Sequence, residues 1–117
     1  MTAPTSIRPA ELPSTIRSYL AAHAAGDADT ALRAFTASAV VVDQDQTFRG
    51  TEEIIRFLRQ AGAEFSYTTE HMGAQRVDGA HWVAEIRLEG DFPGGLAHLS
   101  YRFSTDGDLI AELLIAP

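Results

Sequence analysis

The sequence predicts an α+β domain in which three N-terminal helices precede an antiparallel meander of long strands. Up to Gly62, apolar residues recur at helical spacing. After it, long alternating stretches are separated by DG, DFPGG and TDGD. At 117 residues and 45 % apolar, the chain can bury one core and offset the cost of ordering its backbone. Residues 1–12 are expected to form an N-terminal arm and residues 13–117 a single domain.

Residues 13–25 open with Pro13 in the first turn and stop at Gly26, with Ile16, Leu20 and Ala24 recurring every four residues. Asp27 and Asp29 offer acceptors to a second short helix, in which Leu32 and Phe35 share a face and which ends near Thr36. Val40, Val41 and Val42 are β-branched and run into DQDQ, so a first strand is expected over residues 39–45. Thr51 can cap a third helix, with Glu52 and Glu53 at its positive end, Gly62 at its close, and Ile54, Phe57, Leu58 and Ala61 as its buried stripe.

Four strands follow, at 64–77, 80–90, 96–104 and 108–116. A two-residue turn at Asp78–Gly79 sets Glu70 opposite Arg87 and His71 opposite Ile86, and puts Phe65, Tyr67, Trp82, Ile86 and Leu88 on the core face. The same reasoning at Asp106–Gly107 pairs Phe103 with Ile110, Tyr101 with Glu112 and Leu99 with Leu114, which brings Glu112 among apolar neighbours. A longer loop through TDGD would shift this register and return Glu112 to solvent.

Composition removes several function classes. There is no cysteine, so disulfides and thiolate metal sites are excluded. A formal charge of −7, with arginines scattered apart from Arg56 and Arg59, argues against nucleic acid. No apolar run reaches membrane-spanning length, and MTAPTSIRPAELP has neither a basic region nor an apolar stretch after it. No membrane association is expected, and the cytoplasm is the default location.

Helices first and a strand meander after them leave one sheet face covered and the other free. YLAAHAAGDADTALRAF, then AVVVD, FRGTEEIIRFL and YRFSTDGDLI, resembles the ketosteroid isomerases and SnoaL-like polyketide cyclases of the nuclear-transport-factor-2-like superfamily, over roughly residues 14–116. The resemblance implies a cone-like curved, mostly antiparallel sheet packed against the three helices. It also implies a small hydrophobic ligand, with no cofactor and no metal. Tyr19 matches the isomerase tyrosine that donates a hydrogen bond to the forming enolate, and Asp43 matches the general base. Leu99 stands where the isomerases place a protonated carboxylic acid, a departure from dienolate stabilisation of that kind; the handling of such an acid by its apolar site is a standard case of pKa tuning.

The chemistry has a physical basis of its own. A carboxylate in an apolar pocket is poorly solvated, its pKa rises, and it becomes a competent base beside a carbonyl. A phenol aimed at the carbonyl oxygen steadies the charge that develops there. The plainer readings are a half-buried Tyr19 satisfied locally and an Asp43 solvated at a strand end, with Asp45 on the same face.

His71, predicted inward, is a candidate acid, base or ligand-orienting donor, or a satisfied core histidine. His23 lies one turn beyond Tyr19 and either faces the cone with it or sits against the helix C-terminal dipole. Glu112, if inward beside Tyr101, would have its pKa raised by burial and could supply the acid that Leu99 does not. Phe57, Tyr67, Trp82, Leu99 and Tyr101 are expected to wall the pocket. No HExxH or other compact metal spacing occurs. The outer sheet face, with Val83, Glu85, Arg87, Glu89, Leu96, His98 and Ser100, is expected to form a homodimer. Two functions are open: a proton-moving isomerase, cyclase or dehydratase, or a non-catalytic ligand-binding or association module.

Overall fold

The computed structural model describes residues 3–64, 67–91 and 93–117, with backbone alone for residues 61–64 and 67. Strand β1 (Thr5–Ile7) and a 3₁₀ turn at Pro9–Glu11 lead to Leu12, which is buried. The expected arm is therefore fastened along the sheet edge. Helix α1 (Ser14–Ala24) starts after Pro13, whose missing N–H costs nothing there, and buries Ile16, Tyr19, Leu20 and Ala22. Ala24, placed on that stripe by its spacing, is exposed. The chain leaves α1 through Gly26 at φ 72, a left-handed geometry that suits glycine.

Helix α2 (Ala28–Leu32) is capped by Asp27, which accepts from the Thr30 N–H at 3.1 Å and from the Thr30 hydroxyl at 2.6 Å. It stops short of the expected end near Thr36. Phe35 instead opens strand β2 (Phe35–Asp43), because Ala34 accepts a bond from the Ile110 N–H at 2.8 Å and draws the chain into the sheet. A two-residue turn at Gln44–Asp45 returns it as β3 (Gln46–Arg49). Helix α3 (Gly50–Glu64) follows, with Thr51, the expected cap, inside its first turn and Glu53 accepting the N–H of Arg49, the residue before the helix, at 2.9 Å. Ile54, Phe57 and Leu58 bury its stripe against β2 and β3.

The long strands are β4 (Tyr67–Arg76), β5 (His81–Gly90), β6 (Leu96–Asp106) and β7 (Leu109–Ala116). The described strands form one curved sheet in the order β1-β4-β5-β6-β7-β2-β3, antiparallel throughout except where β2 runs parallel to β7. Three helices cover its concave face, which gives the α+β cone. No helix among the described residues is long and apolar enough to cross a membrane.

Two registers bear on the site. Glu70 does face Arg87, with an ion pair at 3.2 Å, and His71 faces Ile86. The turn after β4 is longer than two residues, with the Val77 N–H bonded to the His81 carbonyl, and a bulge at Met72 takes up the extra residue. The last hairpin departs from expectation. Its turn is Gly107–Asp108, and a bulge beside Ser104 shifts the pairing by one more residue. Tyr101 therefore meets Ile115, Phe103 meets Leu113, and Ser104 meets Glu112. A one-residue shift exchanges faces, so Glu112 lies on the outer face and not beside Tyr101.

Candidate functional site

Cross-strand pairing sets the inner face in rows. One row is Ala74, Ala84, Tyr101, Ile115 and Asp43. The next is Arg76, Trp82, Phe103, Leu113 and Val41, and on the other side come His71, Ile86 and Leu99. Asp43 thus ends β2 pointing to the face the helices cover, two strands from Tyr101 with Ile115 between them.

Tyr19 is the largest fully buried side chain and lies over this face from α1. Its ring meets Phe35 edge-on at 5.3 Å and Phe103 edge-on at 5.9 Å, and Phe103 in turn lies 6.4 Å from Tyr101. Each such contact adds about 0.5–1.5 kcal/mol beyond the area buried. His23, one turn further on, stacks on Tyr19 with centroids 5.6 Å apart. On α3, Phe57 is buried against Phe48 at 4.9 Å.

Two titratable groups feel this apolar setting. Burial raises the Asp43 carboxyl above its ordinary value, and among the described residues no hydrogen bond or ion pair reaches it to offset that effect. Burial pushes the His23 imidazolium below 6.5, so the neutral ring is favoured. For both groups burial favours the uncharged form, the protonated carboxyl of Asp43 and the neutral ring of His23.

The other anticipated residues are dispersed. Leu99 is half-buried and packs against the core one row from Tyr101. His71 keeps its expected partner Ile86 but is exposed, so it stands at the rim rather than inside. Trp82 packs on the core from β5, across the sheet from Asp43, with the Arg76 guanidinium 5.8 Å from its ring centre. Its indole N–H is buried with no hydrogen-bond partner among the described residues. The side chain of Tyr67, and Phe65 with it, lie outside the described residues. A cleft of about 640 Å³ between β3 and the start of α3, lined by Arg49, Glu52, Glu53 and Arg56 among others, takes none of the anticipated residues. Among the described residues no group of three His, Asp or Glu gathers to hold a metal.

Phe35, Phe103 and Ile115, the neighbours of Tyr19 and Asp43, were not singled out for the site by their spacing. Gln44 is another such residue: directly after Asp43 it holds a left-handed φ of 57. Four polar residues between VVV and TF were the available sign of a two-residue hairpin there.

Known proteins share this fold. A candidate polyketide cyclase from Sinorhizobium meliloti superposes with a TM-score of 0.86 at 29 % identity, covering 94 % of this chain and all of that one. A protein of ketosteroid isomerase-like fold from Catenulispora acidiphila, solved with trimethylamine, gives 0.77 at 20 % identity, over 90 % of this chain and 85 % of its own. A candidate polyketide cyclase from Pseudomonas putida gives 0.75 at 19 % identity, over 88 % of each chain. No curated protein matches the chain. The family model described as the SnoaL-like domain matches residues 16–111, nearly the whole domain, and the chain belongs to that family.

Proposed function

We propose that the chain holds a small hydrophobic carbonyl compound against the concave face and moves a proton alpha to the carbonyl without a cofactor. The observation that carries this is Asp43, set on the inner face by its pairing with Ile115 and made more basic by burial. Its carboxylate takes the carbon-bound proton, and the C–H electron pair moves onto the carbonyl oxygen as an enolate. Tyr19 donates a hydrogen bond to that oxygen. The enolate then either regains the proton at another carbon, which is isomerisation, or attacks a second carbonyl carbon, whose π pair moves onto its oxygen and takes the proton back from Asp43, which is cyclisation. The name of the Sinorhizobium meliloti neighbour supports the second outcome.

The test is deuterium uptake in D₂O, followed by NMR, on a panel of ketosteroids and polycyclic aromatic ketones. Exchange alpha to the carbonyl should exceed the buffer rate and fall about 10²–10⁴-fold in Asp43→Asn. Equal exchange by the two proteins would remove Asp43 from this role.

A second reading is a non-catalytic module that holds a ligand in the cone and associates through its outer sheet face. Leu99 favours it, since an apolar side chain on the inner face adds no acid to share the enolate charge. Saturable ligand binding with no exchange above buffer would select it.

A further inference from the structure

Three strands from Asp43, the inner face holds a donor that nothing in the chain answers. Trp82 projects there from β5, and its indole N–H is buried with no hydrogen-bond partner among the described residues. Left so, it forfeits the bond that water gives it in the unfolded chain. Trp82 also borders a cavity of about 120 Å³, closed by Ser14 and Thr15 in the first turn of α1 and by the hairpin turns at Gly79 and at Gly107 and Asp108. At about 30 Å³ for each water molecule, such a space takes about four of them, or one organic acid of a few heavy atoms.

The polar groups around the cavity select its ligand. Two hydroxyls on its walls are already used as donors, Thr15 to the Asp108 carbonyl and Thr105 to the Ala80 carbonyl at 3.3 Å. Arg76 is exposed and, among the described residues, enters no ion pair. Its guanidinium lies 5.8 Å from the centre of the Trp82 ring and 3.8 Å from the point where a side chain on Gly79 would begin, which sets it at the edge of the same cavity. The indole N–H and the guanidinium can only donate, so one acceptor serves both, and an anionic acceptor makes the stronger bonds. Asp108 sets the limit, since its carboxylate repels a doubly charged ion but accepts a bond from a ligand hydroxyl.

We propose that this cavity binds a small α-hydroxy carboxylate of the size of lactate, whose carboxylate takes the Trp82 N–H and the Arg76 guanidinium and whose hydroxyl donates to Asp108. The site is separate from Asp43 and stands or falls independently of the proton-transfer reading.

Trp82 is the only tryptophan, so a ¹H–¹⁵N correlation spectrum of the full chain carries a single indole resonance. Sodium lactate, titrated against sodium chloride at equal ionic strength, should move the indole proton downfield and saturate, with acetate weaker and phosphate weaker still. Arg76→Gln should weaken lactate binding about tenfold, the loss expected for one charge-assisted bond. Asp108→Ala should erase the preference for lactate over acetate, and the amide dispersion of the same spectra shows whether each variant is folded. A wild-type indole resonance that lactate leaves in place, or moves no more than chloride does, overturns the site. Lactate binding unchanged in Arg76→Gln does the same. Phosphate bound as tightly as lactate, or a preference for lactate that survives Asp108→Ala, overturns the assignment to a hydroxy acid.

Discussion

The imidazole of His23 lies flat on the ring of Tyr19, its plane only 9° from parallel and its centroid 5.6 Å away. Burial there favours the neutral ring. The unfolded chain, with an ordinary value of 6.5, then takes up a proton before the folded chain does. The stability this provides is complete above 6.5 and is lost as the pH falls below it. Urea unfolding at pH 7.5, 6.5 and 5.5 should show stability declining toward acid, with a shallower decline in His23→Gln. A variant with the same slope would show that the acid sensitivity arises elsewhere.

Tyr19 should separate function from packing. Tyr19→Phe keeps the ring and its edge contacts with Phe35 and Phe103, so the fold should survive while exchange alpha to the carbonyl drops about 10²–10³-fold. Tyr19→Ala removes the ring from a fully buried site and should cost about 3–5 kcal/mol in urea unfolding. If the phenylalanine variant exchanges as fast as the wild type, the hydroxyl has no part in the reaction.

Which parts of this architecture could be read from the sequence depends on whether a physical signal was local. Alternation and the turn residues DG and TDGD marked the four long strands, and the Glu70–Arg87 register held because the longer turn and the Met72 bulge cancel. Glu112 was misplaced because residues 109–116, LIAELLIA, are apolar on both faces and offer no period to fix a register, so a one-residue bulge left no trace. His71 was paired correctly, but its exposure depends on what overlies the strand, which its neighbours in sequence do not encode. The parallel partner of β2 and the short β1 are likewise long-range choices. VVVD has no alternation, and only its pairing with β7 settles which way Asp43 points.

The turn after Asp43 should be improvable. Gln44 holds a left-handed φ of 57 while its N–H reaches the Ile115 carbonyl at 3.4 Å, a conformation that a Cβ disfavours. Gln44→Gly removes that strain but enlarges the freedom of the unfolded chain, so a net gain of roughly 0.5–1 kcal/mol is expected. Gln44→Val should lose stability, since a β-branched residue fits this region worst. Urea midpoints in the order glycine, wild type, valine would bear this out, and the reverse order would show that Gln44 is not strained.

Asp43, as the proposed base, should set stability against activity, and its pH dependence runs opposite to that of His23. Because burial raises its carboxyl above the unfolded value of 3.8, the folded chain holds the proton more tightly than the unfolded chain. Between 3.8 and the raised value stability therefore falls as the pH rises, and above that window the full cost of a poorly solvated carboxylate is present. Asp43→Asn removes the charge at similar volume, so the variant should unfold at a higher urea concentration than the wild type at pH 7, with the difference shrinking toward pH 4. The same substitution should abolish most of the exchange alpha to a carbonyl. A variant less stable than the wild type at pH 7 would mean that the carboxylate is held by interactions that favour its charge, and would remove the physical reason for regarding it as a base.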